Sequence, residues 1–208
     1  MESKKTYHDY VIKDGKFIGE FEEMYKTFED PWIQSQQPNR YSRQMAIMNI
    51  KRYGIKSIIE YGCGLGYYAD WIFKETGIVC QSIDISPTAV KKAQEKFPYL
   101  HFEVGDIINL HQLPNKENID CVLLADITWM ILPQLNKVNQ LLLENFRGKY
   151  LINNFVTYKG TQKYGLDFFT TTREYINYMP FKCIGYGEAT TIDDHNIDST
   201  TLFKIEPK

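Results

Sequence analysis

Ile58-Ile59-Glu60-Tyr61-Gly62-Cys63-Gly64-Leu65-Gly66 decides how this chain is read. Ile58 to Tyr61 continue a short strand-like run from Ser57, rich in β-branched and aromatic residues. Glycines at 62, 64 and 66 then make a loop that admits close backbone approach. Tyr67 to Thr76 reads as a helix ended by Gly77. The unit is therefore strand, glycine loop, helix, and in sheets made of such units the ligand sits outside the carboxyl ends of the strands.

The same alternation continues downstream. Ile78 to Asp84 reads as a second strand, and Ser86-Pro87 opens a helix through Phe97, with Ser at the N-cap and Pro at the first helical position. Leu100 to Val104 is a third strand. Ile119 to Ala125 is a fourth and the most apolar, as a strand covered on both faces should be. Leu132 to Phe146 is a helix stopped by Gly148, and Lys149 to Asn153 begins a fifth strand. This pattern predicts a mostly parallel sheet with helices on both faces. Beyond it, Arg173 to Met179 reads as a helix, and Phe181 to Glu188 and Thr200 to Ile205 read as strands. No helix fits easily between these two, so they are expected to form a terminal antiparallel pair.

Upstream the composition changes. Residues 1–55 are rich in Tyr, Phe, Lys and Glu, with breakers at Asp30-Pro31 and Gln37-Pro38-Asn39 and a helix over 40–53. We divide the chain into an N-terminal lid or extension, 1–39, and a main domain, 40–208. With 24 basic against 26 acidic residues the net charge is −2, which leaves no overall electrostatic footprint for a phosphate backbone. Cys63, Cys80, Cys121 and Cys183 form no Cys-x-x-Cys pair, and no metal site is expected. No secretory signal and no run of about 20 apolar residues is present, so a cytoplasmic protein without a membrane partner is predicted.

The ligand class follows from the loop. A dinucleotide loop needs Gly-x-Gly-x-x-Gly, and the third glycine would fall at Tyr67. Glu60, two places before Gly62, would repel a pyrophosphate and suits a ligand bearing an ammonium group. These residues resemble the class I S-adenosylmethionine-dependent methyltransferases, whose first motif is an acid, one residue, then Gly-x-Gly-x-Gly. Glu60, Gly62, Gly64 and Gly66 match it. The family's second motif places an acid at the end of the next strand for the ribose hydroxyls, matched by Asp84 with Ile85. Its third places an Asp after strand three near the adenine, matched by Asp106 with Ile107. Its fourth strand corresponds to Asp120 to Asp126, ending beside the reacting centre, and it too closes in an antiparallel pair. The resemblance covers about residues 40–206. It implies an α/β, Rossmann-like methyltransferase fold with a seven-stranded sheet, and S-adenosylmethionine as cofactor.

For the acceptor, Asp126-Ile127-Thr128-Trp129 replaces the Asn/Asp-Pro-Pro-aromatic signature of amino-directed DNA methylation, and no Pro-Cys dipeptide occurs. A small-molecule acceptor is therefore expected and nucleic acid is not. Phe21-Glu22-x-Met24-Tyr25, Asp30-Pro31-Trp32-x-x-Ser35 and Tyr164-Gly165-x-Asp167-Phe168-Phe169 resemble a bacterial subgroup that modifies sugars, surface polysaccharides and secondary metabolites. That implies O-methylation of a sugar-like or phosphorylated precursor in capsule building, with N-methylation of an amine as the alternative. Asp126, His195 and Tyr164 are the candidate catalytic residues. Asp126 ends strand four, where it suits either the acceptor or a turn cap. His195 lies between Asp194 and Asn196 in a polar loop and suits a base near neutral pH. Two readings from other classes stand beside these: a non-catalytic cofactor-binding subunit, and an NAD-dependent oxidoreductase.

Overall fold

A computed structural model describes residues 6–13, 16–37, 39–190 and 195–208. At the N-terminal end, β1 (Ile12–Lys13) and β2 (Lys16–Phe17) pair antiparallel, and α1 (Phe21–Thr27) and α2 (Tyr41–Arg52) follow. The main sheet is built from β3 (Ile58–Tyr61), β4 (Gln81–Asp84), β5 (His101–Val104), β6 (Cys121–Ala125), β7 (Tyr150–Tyr158), β8 (Phe181–Ala189) and β9 (Asn196–Pro207). Its helices are α3 (Tyr67–Thr76), α4 (Pro87–Lys96), α5 (Leu135–Asn145) and α6 (Thr172–Tyr178). Strand order is β5-β4-β3-β6-β7-β9-β8, parallel from β5 to β7 and antiparallel where β9 pairs with β7 and β8. This is the expected Rossmann-like methyltransferase fold of seven strands with its terminal antiparallel pair.

Strand alternation distributes the core. Ile59, Tyr61, Val122 and Leu124 pack on one face with α5, through Leu135, Val138 and Leu142. Ile58, Cys121 and Leu123 pack on the other with α2 and α3, through Ala46, Ile47, Ile50, Tyr68 and Ile72. Val122, Leu123 and Leu124 are completely buried, and each such side chain contributes roughly 1.5–3 kcal/mol. The loop at the end of β6 thus rests on a strand that is buried throughout. At the start of α4, Ser86 accepts from the Ala89 N–H at 3.1 Å and Pro87 takes the first turn, as its sequence predicts.

Two strands run longer than their sequence pattern indicates. β7 and β9 pair from Tyr150 with Lys204 through to Tyr158 with Asn196. The added length carries Asn154, Thr157 and Ser199, all buried, so polarity concealed it. Side-chain bonds satisfy part of this polar layer: Tyr68 donates to Asn154 at 2.7 Å, Asn154 to the Ser42 carbonyl at 3.1 Å, and Thr172 and Ser199 share a bond of 2.8 Å. At the start of the expected 132–146 helix, Leu132–Gln134 instead forms a tight 3-10 turn around Pro133, and α5 follows it.

Candidate functional site

The carboxyl ends of β3, β4, β5 and β6 meet at a cavity of about 380 Å³. Its floor is the turn after β3. Gly62 has φ +83°, and its N–H donates to the Ile83 carbonyl at 2.8 Å, tying the turn to β4. A Cβ on Gly62 would stand 2.0 Å from Ile127 Cγ2. Gly64 has φ +54°, and a Cβ there would meet the Gln34 amide and the Tyr25 hydroxyl within 2.6–2.7 Å. Both positions therefore need glycine for conformation and for space.

Asp84 and Ile85 line the cavity at the end of β4, and Asp106 and Ile107 line it after β5. Asp84 accepts from the Gly64 N–H at 2.8 Å and the Ser86 N–H at 2.9 Å, one on each oxygen. Burial pushes its carboxyl above the ordinary value despite those bonds. Asp106 accepts from Ile108 N–H at 3.2 Å. Gly62 lines the cavity, whereas Gly64 and Gly66 shape the loop behind it.

Glu60 stands elsewhere than its place in the motif suggested. It shares strand parity with Ile58, so its side chain lies on the face under α2 and α3, wholly buried and outside the cavity lining. One oxygen accepts from Ser82 Oγ at 2.7 Å and the other has no partner. Burial raises its pKa to about 7, against the lowering effect of the Ser82 bond and of Arg43.

Asp126 lines the cavity beyond β6 in a left-handed conformation, φ +60°. Arg40 forks onto it, Nη1 and Nη2 each 3.3 Å from a carboxylate oxygen, and Nη2 also donates to Asp198. Asp198 in turn accepts the Ser42 N–H at 2.9 Å at the start of α2. Arg43 Nη2 is 3.5 Å from Asp126, its Nη1 donates to the Gln37 carbonyl at 2.8 Å, and its guanidinium lies 4.6 Å over the Tyr68 ring. Burial opposes the charge on Arg40, but Asp126 and Asp198 more than offset it.

The other two catalytic candidates fall outside the cavity lining. His195 is exposed, and its carbonyl accepts from the Lys159 N–H at 2.8 Å. Its neighbours Asp193 and Asp194 lie outside the described residues. Tyr164 stacks on Phe17 with ring centroids 6.3 Å apart, behind the lining. Trp129, Met130, Val156 and Tyr158 line this side instead.

Phe17, Phe21, Tyr25, Trp32 and Gln34 bring the segment before α2 into the cavity wall. Gln34 Oε1 accepts from the Leu65 N–H at 2.8 Å, and Tyr25, Leu65 and Ala89 share an apolar cluster with Val11 and Met24. Glu22 accepts from Ser86 Oγ at 2.6 Å and from Thr88 N and Oγ1 at 3.1 and 2.7 Å, latching α1 onto the start of α4. Burial acts to raise the Glu22 pKa, but those bonds dominate and hold it at about 2. Glu22→Gln is expected to loosen the cover, seen as faster protease cleavage between residues 6 and 37 while the main domain stays resistant. An unchanged cleavage rate would dismiss the latch.

Arg40, Arg43, Gln34 and Tyr25 were not read as site residues from sequence. One signal was present: two arginines three apart at the start of a helix oppose its dipole and call for carboxylate partners. The partners, Asp126 and Asp198, are far away in the chain, so sequence alone could not supply them.

A model of the methyltransferase domain family matches residues 55–192. Among solved structures, the N-methyltransferase NodS from Bradyrhizobium japonicum, in complex with S-adenosylhomocysteine, superposes with a TM-score of 0.65 at 14% identity, covering 88% of this chain and 97% of that one. A TehB-like methyltransferase from Corynebacterium glutamicum gives 0.57 at 15% identity, covering 89% and 99%. A curated relative, norajmaline N-methyltransferase from Rauvolfia serpentina, is 38% identical over 61 residues; the match spans 26% of this chain and 21% of that protein.

Proposed function

The chain belongs to the S-adenosylmethionine-dependent methyltransferases, and from that premise we propose that it methylates a compact amine with an apolar, ring-bearing body. The observation that carries this reading is the cavity wall beside Asp126, formed by Phe17, Phe21, Trp129, Met130, Ile131 and Val156.

The residues fit the donor. A volume of about 380 Å³ falls within the range of roughly 300–1,000 Å³ of small-molecule sites. The bare turn at Gly62 gives a cradle in which any Cβ would collide. Each Asp84 oxygen accepts one backbone N–H and keeps a lone pair for a ribose hydroxyl. Ile85, Asp106 and Ile107 serve the base, with Asp106 taking the exocyclic amine. Phe17, Phe21, Tyr25, Trp32 and Gln34, from the segment before α2, act as the lid that keeps water from the reacting atoms.

When bound, S-adenosylmethionine supplies an electrophilic methyl on a sulfonium that leaves as a neutral thioether. The rest of the work is positional, because an in-line displacement depends chiefly on holding the acceptor close and aligned. Trp129 and the aliphatic wall hold the acceptor's body. Asp126 accepts a hydrogen bond from its amine and orients the lone pair. Tyr25, Trp32 and Tyr158 line the space with ring faces, which favour a cationic centre.

Amine is preferred to hydroxyl because of the available bases. Among the described lining residues there is no histidine, and burial together with Asp126 pushes the Tyr158 phenol up, so that it stays protonated near neutral pH and is not a ready base. A neutral amine brings its own lone pair and gives up its proton after transfer. The sugar-like, phosphorylated acceptor in capsule building expected from sequence is less well supported by this wall: both lining arginines face carboxylates.

Two measurements test the reading. Calorimetry should give a clear isotherm with S-adenosylhomocysteine and none with NAD; the reverse would end it. Transfer of labelled methyl to a panel of aromatic amines and their phenol counterparts should favour the amines. Labelling of phenols or sugar phosphates alone would overturn the acceptor assignment.

A further inference from the structure

Asp126-Ile127-Thr128-Trp129, the turn after β6, is tied to the neighbouring strand β7 at successive points. The Asp126 N–H donates to the Asn154 carbonyl at 3.1 Å, the Thr128 hydroxyl to Asn153 Oδ1 at 2.8 Å, and the Trp129 indole N–H to the Val156 carbonyl at 2.7 Å. The first and last of these end on backbone carbonyls, which every residue type supplies. The middle one joins two side chains, so it depends on residue identity at both ends.

Asn153 stands out in its surroundings. It shares strand parity with Leu151 and Phe155, and all of them are fully buried. An amide in such a row is costly unless it is bonded, and an apolar side chain of similar size would carry no such cost. Thr128 is equally buried, and neither residue belongs to the cavity lining. What their bond restrains is the turn between two lining residues, Asp126 and Trp129. Asp126 holds φ +60°, a left-handed conformation that a residue with a side chain keeps only where its surroundings fix it.

We propose that Thr128 and Asn153 are positioning residues for the methyl acceptor: their bond sets the turn so that Asp126 and Trp129 face the same space. This rests on the reading above that Asp126 and Trp129 hold the acceptor. The donor's cradle is fixed by other contacts, the Gly62 N–H on the Ile83 carbonyl and Asp84 on the Gly64 and Ser86 N–H groups. The bond therefore acts on the acceptor and leaves the donor alone. Asn154, next along β7, points to the opposite face and donates to the Ser42 carbonyl at the start of α2. One strand thus gauges the turn after β6 from one face and the arginine-bearing helix from the other.

Thr128→Val keeps the shape of the side chain and removes the hydroxyl; Thr128→Ser keeps the hydroxyl. With aromatic amines as acceptors, Thr128→Val should lower kcat/KM for the amine by about tenfold, the scale of a buried hydrogen bond whose partner is left unmet. Its affinity for S-adenosylhomocysteine should stay within about twofold of wild type, and Thr128→Ser should recover most of the lost activity. A second readout needs no acceptor. In isotope-labelled protein, the indole N–H of Trp129 should exchange with solvent about tenfold faster in Thr128→Val, with those of Trp32 and Trp71 unchanged. If Thr128→Val does not fold, Thr128→Val with Asn153→Leu, which removes both polar ends together, carries the same comparison. Unaltered indole exchange, an amine kcat/KM within about threefold of wild type, or an equal loss of donor affinity would overturn the positioning role. If wild type methylates no amine, the acceptor reading falls by itself, and indole exchange still decides whether Thr128 and Asn153 fix the turn.

Discussion

Gly62→Val is expected to reduce affinity for S-adenosylhomocysteine by about a hundredfold or more, with the helical and sheet content of the protein kept. At φ +83° a β-branched residue is strained, at a cost of roughly 1–3 kcal/mol. Its Cβ would also fall 2.0 Å from Ile127 Cγ2 and 3.4 Å from the Ala125 carbonyl, so the turn must lift or the loop after β6 must move. Either motion disturbs both walls of the cavity at once, since Gly62, Ile127 and Asp126 all line it. The core beneath does not depend on this side chain, because Ile58, Ile59 and the β6 residues stay packed. Gly77→Val is the matched control. It has φ +74° but nothing within 4 Å of its Cβ, so it should cost stability and leave affinity alone. Calorimetry and far-ultraviolet dichroism on both variants decide the matter. A Gly62→Val affinity within about threefold of wild type would refute the role given to this turn.

This contrast also shows what sequence could and could not reveal. The glycine turn, Asp84 and Asp106 were legible because each depends on its own strand end, and strand ends are set by local alternation. Glu60 was misplaced because the motif was read as a line of residues, whereas a strand presents successive side chains to opposite faces. The parity of Ile58 and Glu60 against Ile59 and Tyr61 already carried that information. The arginine pair was not legible as a site, since its meaning comes from Asp126 and Asp198, which only folding brings near. His195 and Tyr164 drew attention by residue type and by their position after late strands. The extension of β7 and β9 through buried Asn and Thr residues, together with the packing of Phe17 on Tyr164, gave that side of the cavity to Trp129, Val156 and Tyr158 instead.

Glu60→Gln should remove a pH dependence of stability worth about 3 kcal/mol. Burial raises the Glu60 pKa from 4.5 to about 7 in the folded protein. Below 4.5 the carboxyl is protonated whether the chain is folded or not, so its contribution to stability is fully present there. Between 4.5 and about 7 the unfolded chain releases the proton and the folded chain keeps it, and stability falls steadily. Above about 7 both states are ionised and the loss is complete. The span corresponds to roughly 3 kcal/mol, at 1.36 kcal/mol for each pH step. Glu60→Gln cannot release a proton, so urea unfolding of both proteins should show their difference widening by about that amount from pH 4.5 to 7 and then levelling. Asp84, also raised by burial, is common to both proteins and cancels in the comparison. A difference that stays flat across the window would mean that Arg43 and Ser82 hold Glu60 ionised throughout. In that case Glu60 is a full counter-ion for Arg43.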